Sequence, residues 1–246
     1  MPLAADRHQG ASSLVVVGFD TATPDTAACA WRDGDVIAEA HLGLSERGRP
    51  LHATGLLAEV ERCAEAAGGW EAVDLVAVGL GPGSFTGLRV GIATAKGLTL
   101  SLGTAGRGVS TLDALAAGIG AAGATGERLA VLDGYRGEVF VALYDAEGAT
   151  LWEPAVMRPE ALAERLGTLS TPPSVCGSGA IRFRDELEGA GGIRIPDDAD
   201  PIHRVAARHI CALAAAGKGS DSLEPIYLRP PDAERWRERD SFQRAD

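Results

Sequence analysis

Residues 13–43 read SLVVVGFDTATPDTAACAWRDGDVIAEAHLG, and they contain three consecutive strand signals. The first, at residues 13–20, is a short apolar run rich in β-branched valine, which is typical of a buried strand. Residues 26–32 and 36–43 are the next two candidates, and the D-G-D sequence at residues 33–35 is a turn signal typical of hairpins. This stretch therefore predicts a three-stranded meander.

A helix, a strand and a second helix are predicted to follow the meander. From Ala53 onward the apolar residues recur with the spacing of one face of an amphipathic helix. Residues 73–79 predict a short buried strand, and residues 84–102 predict the second helix. A meander followed by a helix, a strand and a second helix is typical of a mixed sheet that carries helices on its faces.

The same order of elements returns in the second half of the chain. Residues 128–156, RLAVLDGYRGEVFVALYDAEGATLWEPAV, predict another three-stranded meander. The unit is completed by a predicted helix at 159–166, a short strand ending at Cys176 and a last helix over 202–215. The repeat predicts an α/β protein of two lobes that resembles the actin-like ATPase fold, in which each lobe is like ribonuclease H and contains a mixed five-stranded sheet flanked by helices.

The domain boundaries are predicted from the same pattern. We expect an N-terminal lobe at residues 13–108 and a C-terminal lobe at residues 109–230. Residues 103–110 are predicted as the linker. Pro230 and Pro231 end regular structure, and the mixed-charge sequence at residues 231–246 predicts a flexible tail.

Composition excludes several classes of protein. The formal net charge of −11 disfavours direct tight binding to a phosphate backbone, so a partner would have to hold any RNA. The four cysteines show no C-x-x-C spacing and predict no disulfide framework. The N-terminal residues lack a hydrophobic signal region, and no apolar stretch is long enough to span a bilayer. We therefore expect a cytoplasmic protein without a membrane partner.

A glycine-rich turn joins the fourth predicted strand to the second helix, in the sequence GLGPGSFTGLRVGIATAKGL at residues 79–98. Ser84 is a favourable N-cap for that helix. The segment is not a Walker A loop, because Lys96 lies too far into the helix. It is not a dinucleotide fingerprint either, because the spacing differs and the turn follows the fourth strand instead of the first.

The helix after this turn carries a strip of small residues. Gly87, Gly91 and Ala95 recur every four positions, and a glycine inside a helix costs about 1 kcal/mol relative to alanine. Such a strip allows a close approach by another element. Two interpretations stay open: the strip packs against the protein's own sheet or neighbouring helix, or it also packs against a partner subunit.

Residues 81–98 strongly resemble the signature segment of the TsaB family. Three further stretches resemble that family: D-T-A-T at residues 20–23, residues 133–145, and EPIYLRPPDAE at residues 224–234. The resemblance implies an actin-like scaffold subunit that pairs with the related catalytic subunit TsaD and is joined by TsaE, a small ATPase. It implies that the complex transfers a threonylcarbamoyl group to the adenosine beside the tRNA anticodon, so this chain contacts tRNA only indirectly.

The resemblance also places the subunit contact on the two helices of the N-terminal lobe. The same surface is expected to form a homodimer when the chain is alone, because an exposed apolar patch favours association. The interface residues that it implies in this sequence are Leu56, Val60, Ser84, Gly87, Leu88, Gly91 and Ala95. One departure from the family pattern is visible: Asp-Ala-Arg is replaced by Asp-Gly-Tyr-Arg at residues 133–136.

No metal site and no catalytic residue are expected. TsaD carries an H-x-x-x-H pair on its first lobe helix, and histidines at that spacing share one helix face. Here the helix begins near His52 and carries Leu56 four residues later. His203 and His209 are six apart, which corresponds to about 600° of helix rotation and separates their faces.

Weak candidates for nucleotide binding are Asp20, Thr21, Asp133, Gly177 and Gly179. An aspartate after the first strand helps to place a metal-bound nucleotide in actin-like ATPases, but aspartate and threonine also stabilise tight turns. No cofactor is expected for this chain, although the complex uses ATP. An independent actin-like ATPase or sugar kinase is the alternative function, and a metallopeptidase is a third.

Overall fold

The computed structural model describes residues 13–229, and the predicted tail at 231–246 lies outside that range. The strands are β1 (Val15–Asp20), β2 (Thr26–Arg32), β3 (Asp35–Leu42), β4 (Leu75–Gly79), β5 (Ala105–Val109), β6 (Arg128–Asp133), β7 (Val139–Tyr144), β8 (Thr150–Met157) and β9 (Ser174–Cys176). The helices are α1 (His52–Ala66), α2 (Phe85–Leu102), α3 (Thr111–Ala121), α4 (Pro159–Leu166), α5 (Ser178–Arg182), α6 (Arg184–Glu188) and α7 (Ala207–Ala215).

The first sheet has five strands in the order β3-β2-β1-β4-β5. Strands β1, β2 and β3 form the predicted antiparallel meander, and β4 and β5 continue the sheet in parallel. Helices α1 and α2 pack on one face of this sheet, and α7 packs on the other. Every residue of the central strand β1 is buried, which is why residues 15–19 form an apolar run instead of an alternating pattern, with Asp20 at the end of the strand.

Strand β5 lies inside the segment that was predicted as a linker, so that prediction is wrong. Its sequence AGRGV contains two glycines and a single β-branched residue, Val109, so it lacks the pattern that indicates a strand. The strand forms because it pairs with β4, and because Gly108 also pairs with Ser220 of the C-terminal segment. Glycine suits position 108, since a Cβ there would lie 2.3 Å from Cδ1 of Leu80 and would force that side chain to move.

The second sheet has the order β8-β7-β6-β9 and repeats the meander with one parallel strand. The prediction of five strands is therefore correct for the first sheet and one too many for the second within residues 13–229. Buried side chains from both sheets, α3 and α7 form one shared core between the sheets. The predicted two-lobed actin-like arrangement is confirmed.

The last helix is shorter than the predicted 202–215. A 3-10 turn at Pro201–His203 precedes α7, and the backbone between them is extended at Arg204 and Ala206. Helix α7 packs on β1 and β2, so part of the predicted C-terminal lobe contacts the first sheet. The lobe boundaries at 108 and 109 stay predictions. No helix in the described part of the chain is both long and apolar enough to span a membrane.

Candidate functional site

Asp20 ends β1 at the junction of the lobes, and its carboxylate is fully engaged inside the protein. The backbone N–H of Ala22 donates a 2.8 Å hydrogen bond to Oδ1, and Oγ1 of Thr111 donates a 2.8 Å hydrogen bond to Oδ2. A Cβ at Gly79 would lie 1.7 Å from Oδ2, so the adjacent strand leaves no space beside it. Burial raises the pKa of Asp20, although these hydrogen bonds act in the opposite direction. The geometry supports the structural interpretation of Asp20 over the nucleotide-binding one.

Thr21 is also buried, and its side chain points at helix α2. Its Oγ1 donates a 2.7 Å hydrogen bond to the carbonyl oxygen of Gly87. The hydroxyl therefore connects the turn after β1 to the start of α2, and it is not available to a phosphate in this arrangement.

A small cleft lies between the lobes beside this turn. It is lined by Ala22, Thr23, Pro24 and Gly83 from the first lobe, and by Leu132, Asp133, Tyr135 and Ser178 from the second. Its volume is about 70 Å³. Pockets for small molecules and cofactors usually measure about 300–1,000 Å³. In this arrangement of the lobes the cleft does not accommodate a nucleotide.

Asp133 lines the cleft, but its oxygens are occupied by its own lobe. Oδ1 accepts a 2.9 Å hydrogen bond from the N–H of Tyr135, and Oδ2 forms a 2.7 Å ion pair with Arg182. Tyr135 and Arg136 have φ angles of 59° and 58°, which are uncommon for residues other than glycine. The departure from the family pattern thus coincides with a left-handed turn that places the Tyr135 ring beside the cleft.

Gly177 and Gly179 allow α5 to pack closely against β6. A Cβ at Gly177 would lie 2.1 Å from the carbonyl oxygen of Val131, and one at Gly179 would lie 2.8 Å from the carbonyl carbon of Leu132. The N–H of Gly177 donates a 3.1 Å hydrogen bond to Nδ1 of His203. Both glycines therefore serve packing, and this backbone N–H already has an acceptor.

His52 begins α1 and is buried against the first lobe. Its Nδ1 lies 2.8 Å from Oγ1 of Thr26, and burial lowers its pKa. Leu56, one turn further along α1, belongs to the apolar core. Across residues 13–229 no group of three or more His, Cys, Asp or Glu side chains is arranged to hold a metal ion.

The residues predicted at a partner interface are largely inside the protein. Six of them are buried, namely Leu56, Val60, Gly87, Leu88, Gly91 and Ala95. The remaining residue, Ser84, caps α2 by accepting a 3.2 Å hydrogen bond from the N–H of Gly87. These six residues pack inside the chain in this structure, and their contact with a partner stays a prediction.

Gly87 and Gly91 are buried because the small-residue strip of α2 approaches the turn after β1 closely. A Cβ at Gly87 would lie 2.0 Å from the carbonyl oxygen of Thr21, and one at Gly91 would lie 2.4 Å from its Oγ1. Of the two interpretations left open by the sequence, the internal one explains the strip.

Other positions of the same two helices face outward and are apolar. Leu57 on α1 is 57% exposed, and Phe85 and Leu100 on α2 are 42% and 86% exposed. The guanidinium carbon of Arg89 lies 3.8 Å from the centroid of the Phe85 ring, and the ring of Tyr227 lies 5.6 Å from it. The sequence signal for this surface is a set of large apolar residues outside the buried face of each helix.

Two mixed sheets that share a core of two helices define a two-lobed α/β protein of the actin-like class. The tRNA threonylcarbamoyladenosine biosynthesis protein TsaB of Escherichia coli is 32% identical to this chain over 87% of this chain and 94% of its own length. The chain belongs to the TsaB family. That membership supports a role in tRNA threonylcarbamoyladenosine biosynthesis.

Further similarities agree with this assignment. A family model described as TsaD, tRNA N6-adenosine threonylcarbamoyltransferase, matches residues 48–173. The uncharacterized protein Rv3421c of Mycobacterium tuberculosis is 34% identical over 89% of this chain and 93% of its own length. A Pseudomonas aeruginosa crystal structure, described as an uncharacterized protein with similarity to peptidase YeaZ, is 26% identical with a TM-score of 0.72 and covers 88% of this chain and 100% of its own.

Proposed function

We propose that the chain is a non-catalytic scaffold subunit that pairs with TsaD, together with TsaE, for transfer of a threonylcarbamoyl group to the adenosine beside the tRNA anticodon. The observation that carries the proposal is the outward apolar surface of α1 and α2, represented by Leu57, Phe85 and Leu100, in a member of the TsaB family. Large apolar side chains exposed on two neighbouring helices are consistent with a protein–protein contact there.

The proposal that the chain is non-catalytic is supported by the hydrogen bonds that occupy the Asp20 carboxylate. A carboxylate that holds a metal-bound nucleotide needs an oxygen facing an open cleft. Both oxygens of Asp20 accept hydrogen bonds from its own chain, and the cleft beside it measures about 70 Å³. The chemistry therefore belongs to TsaD, and this chain needs no cofactor of its own while the complex uses ATP.

The net charge supports an indirect role with respect to tRNA. At −11 the chain repels a phosphate backbone at long range, so the partner subunits bind the tRNA. In the absence of TsaD, the surface of α1 and α2 forms a homodimer, because it remains apolar and exposed. The complex works in the cytoplasm, where its tRNA substrate is found.

Reconstitution tests the proposal. The purified chain is combined with TsaD, TsaE and the threonylcarbamoyl-adenylate synthase, and modified adenosine is measured in unmodified tRNA with and without this chain. We expect modification only when this chain is present, and no modification by this chain alone. Equal modification without it would overturn the scaffold role.

A second measurement addresses the alternative of an independent actin-like ATPase or sugar kinase. ATP turnover by the lone chain is measured for the wild type and for Asp20→Ala. Turnover that the substitution abolishes would replace the scaffold proposal with the enzyme alternative. We expect no turnover above that of the variant.

A further inference from the structure

A groove of about 440 Å³ runs along the outer side of α2, next to the exposed apolar surface. One wall comes from α2 and the other from the C-terminal segment, and the lining residues are Arg89, Ile92, Ala93, Lys96, Glu224, Pro225 and Tyr227. The segment is held in place by the N–H of Ile226, which donates a 2.8 Å hydrogen bond to the carbonyl oxygen of Leu80. Leu223 is buried in the core of the first lobe. The groove is therefore formed before any partner arrives.

The groove is locally cationic in an acidic protein. It contains two cations and one carboxylate, whereas the whole chain carries a formal net charge of −11. Lys96 already binds a carboxylate there, since its Nζ lies 2.7 Å from Oε1 of Glu224. Both side chains are at least half exposed, so this pair is weak and leaves the lysine able to accept a second anion.

Arg89 has no carboxylate partner within residues 13–229. Its guanidinium stacks on Phe85, which uses the plane of the group and leaves its in-plane N–H donors for an acceptor. Arginine, tyrosine and phenylalanine are enriched at the centres of protein interfaces. Arg89, Phe85 and Tyr227 form such a cluster at the mouth of the groove.

We propose that this groove receives an aspartate or glutamate side chain of TsaD, whose carboxylate is bound by Arg89 and Lys96 while its aliphatic part packs on Tyr227. The inference rests on the proposed pairing with TsaD. Charge complementarity favours an acidic protein segment over a nucleic acid, because the net charge of the chain repels phosphate at long range. The groove is continuous with the apolar surface of α2, so one partner covers both.

Charge reversal at the groove tests this inference. The dissociation constant for TsaD is measured by calorimetry for the wild type, Arg89→Glu and Lys96→Glu. The control is Lys218→Glu, which changes the net charge equally at the other lysine of the chain, outside the groove. We expect Arg89→Glu to weaken binding at least about tenfold, and Lys96→Glu to weaken it less, because Lys96 is already paired. Lys218→Glu is expected to bind like the wild type.

The outcomes separate the two proposals. If the wild type binds TsaD and all three variants bind equally well, the groove inference is overturned and the scaffold role stands. If the wild type does not bind TsaD, the scaffold role itself fails. If Arg89→Glu abolishes only self-association in light scattering and leaves TsaD binding intact, the occupant is a second copy of this chain, and the inference is overturned. Thermal melting controls for folding, and since Arg89 is exposed we expect an unchanged midpoint.

Discussion

The hydroxyl of Thr21 donates a 2.7 Å hydrogen bond to the carbonyl oxygen of Gly87, and this contact joins the turn after β1 to the first turn of α2. It requires the helix backbone to approach the turn more closely than a side chain would permit. The small-residue strip of α2 therefore stabilises the first lobe, while the opposite side of the same helix remains exposed.

We expect Gly87→Ala to destabilise the protein, because its Cβ would lie 2.0 Å from the carbonyl oxygen of Thr21. Overpacking of this kind costs about 1–3 kcal/mol of the free energy of unfolding. Gly97→Ala is the matched control, since it lies in the same helix with nothing within 4 Å of its Cβ. That control is expected to stabilise the protein by about 0.5–1 kcal/mol. Urea denaturation measures both, and equal midpoints for Gly87→Ala and the wild type would contradict the packing argument.

We expect Leu57→Asp to weaken pairing with TsaD without lowering the melting temperature, because Leu57 is 57% exposed on the proposed contact surface. Leu151 on β8 is 48% exposed in the second lobe, so Leu151→Asp is the control with the same chemical change. Co-purification with tagged TsaD measures the effect. Retention of both variants to the same extent would show that α1 is not part of the contact.

The pKa of Asp20 predicts a specific pH dependence for Asp20→Asn. Because burial raises the pKa above its ordinary value of 3.8, the folded protein binds the proton more tightly than the unfolded chain does. The stabilising contribution of protonated Asp20 is present at low pH and is lost as the pH rises through the folded value. We therefore expect Asp20→Asn to gain free energy of unfolding relative to the wild type as the pH rises over that interval.

Urea unfolding at a series of pH values checks this prediction. A difference between Asp20→Asn and the wild type that does not change with pH would show that the hydrogen bonds from Ala22 and Thr111 stabilise the anion as strongly as burial disfavours it.

His52 has the opposite pH dependence, because burial lowers its pKa below the ordinary value of 6.5. The unfolded chain then binds the proton more tightly, so the stability contributed by neutral His52 is present above 6.5 and is lost as the pH falls towards the folded value. We expect the wild type to lose more free energy of unfolding than His52→Gln does when the pH is lowered through this interval. Chemical denaturation of both proteins measures the difference, with His41→Gln, at an exposed position, as control. Parallel loss in all three would contradict the prediction.

The local sequence pattern was sufficient to predict many of the strands and helices. Residues 26–32 and 128–133 are strands as predicted, and residues 159–166 are a helix with the predicted ends. These segments carry their own hydrophobic periodicity and flanking turn residues, so a short stretch of sequence contains the information. The duplicated order of elements was enough to predict the two-lobed fold.

The candidate site was less predictable from sequence. Asp20 and Asp133 were found as polar residues at strand ends, but only the fold shows that hydrogen bonds and an ion pair within the chain occupy their oxygens. Gly87 and Gly91 were recognised as an unusual strip, but a strip of small residues has the same appearance whether it faces a partner or the chain's own turn. Leu57 and Phe85 lie outside the buried faces of their helices, and the fold shows that both are exposed.

By itself, the sequence determined most of the strands and helices, the family and the acidic character of this protein, because each of these depends on residue type and on spacing within one segment. Only the tertiary structure decided that residues 105–109 form the fifth strand, since their pairing partners are β4 and Ser220, far away in the chain. The tertiary structure also decided which side of α2 is free, because that depends on the position of Thr21 relative to a helix that begins more than sixty residues later. Contacts between segments so distant in sequence leave no periodic signal in either one.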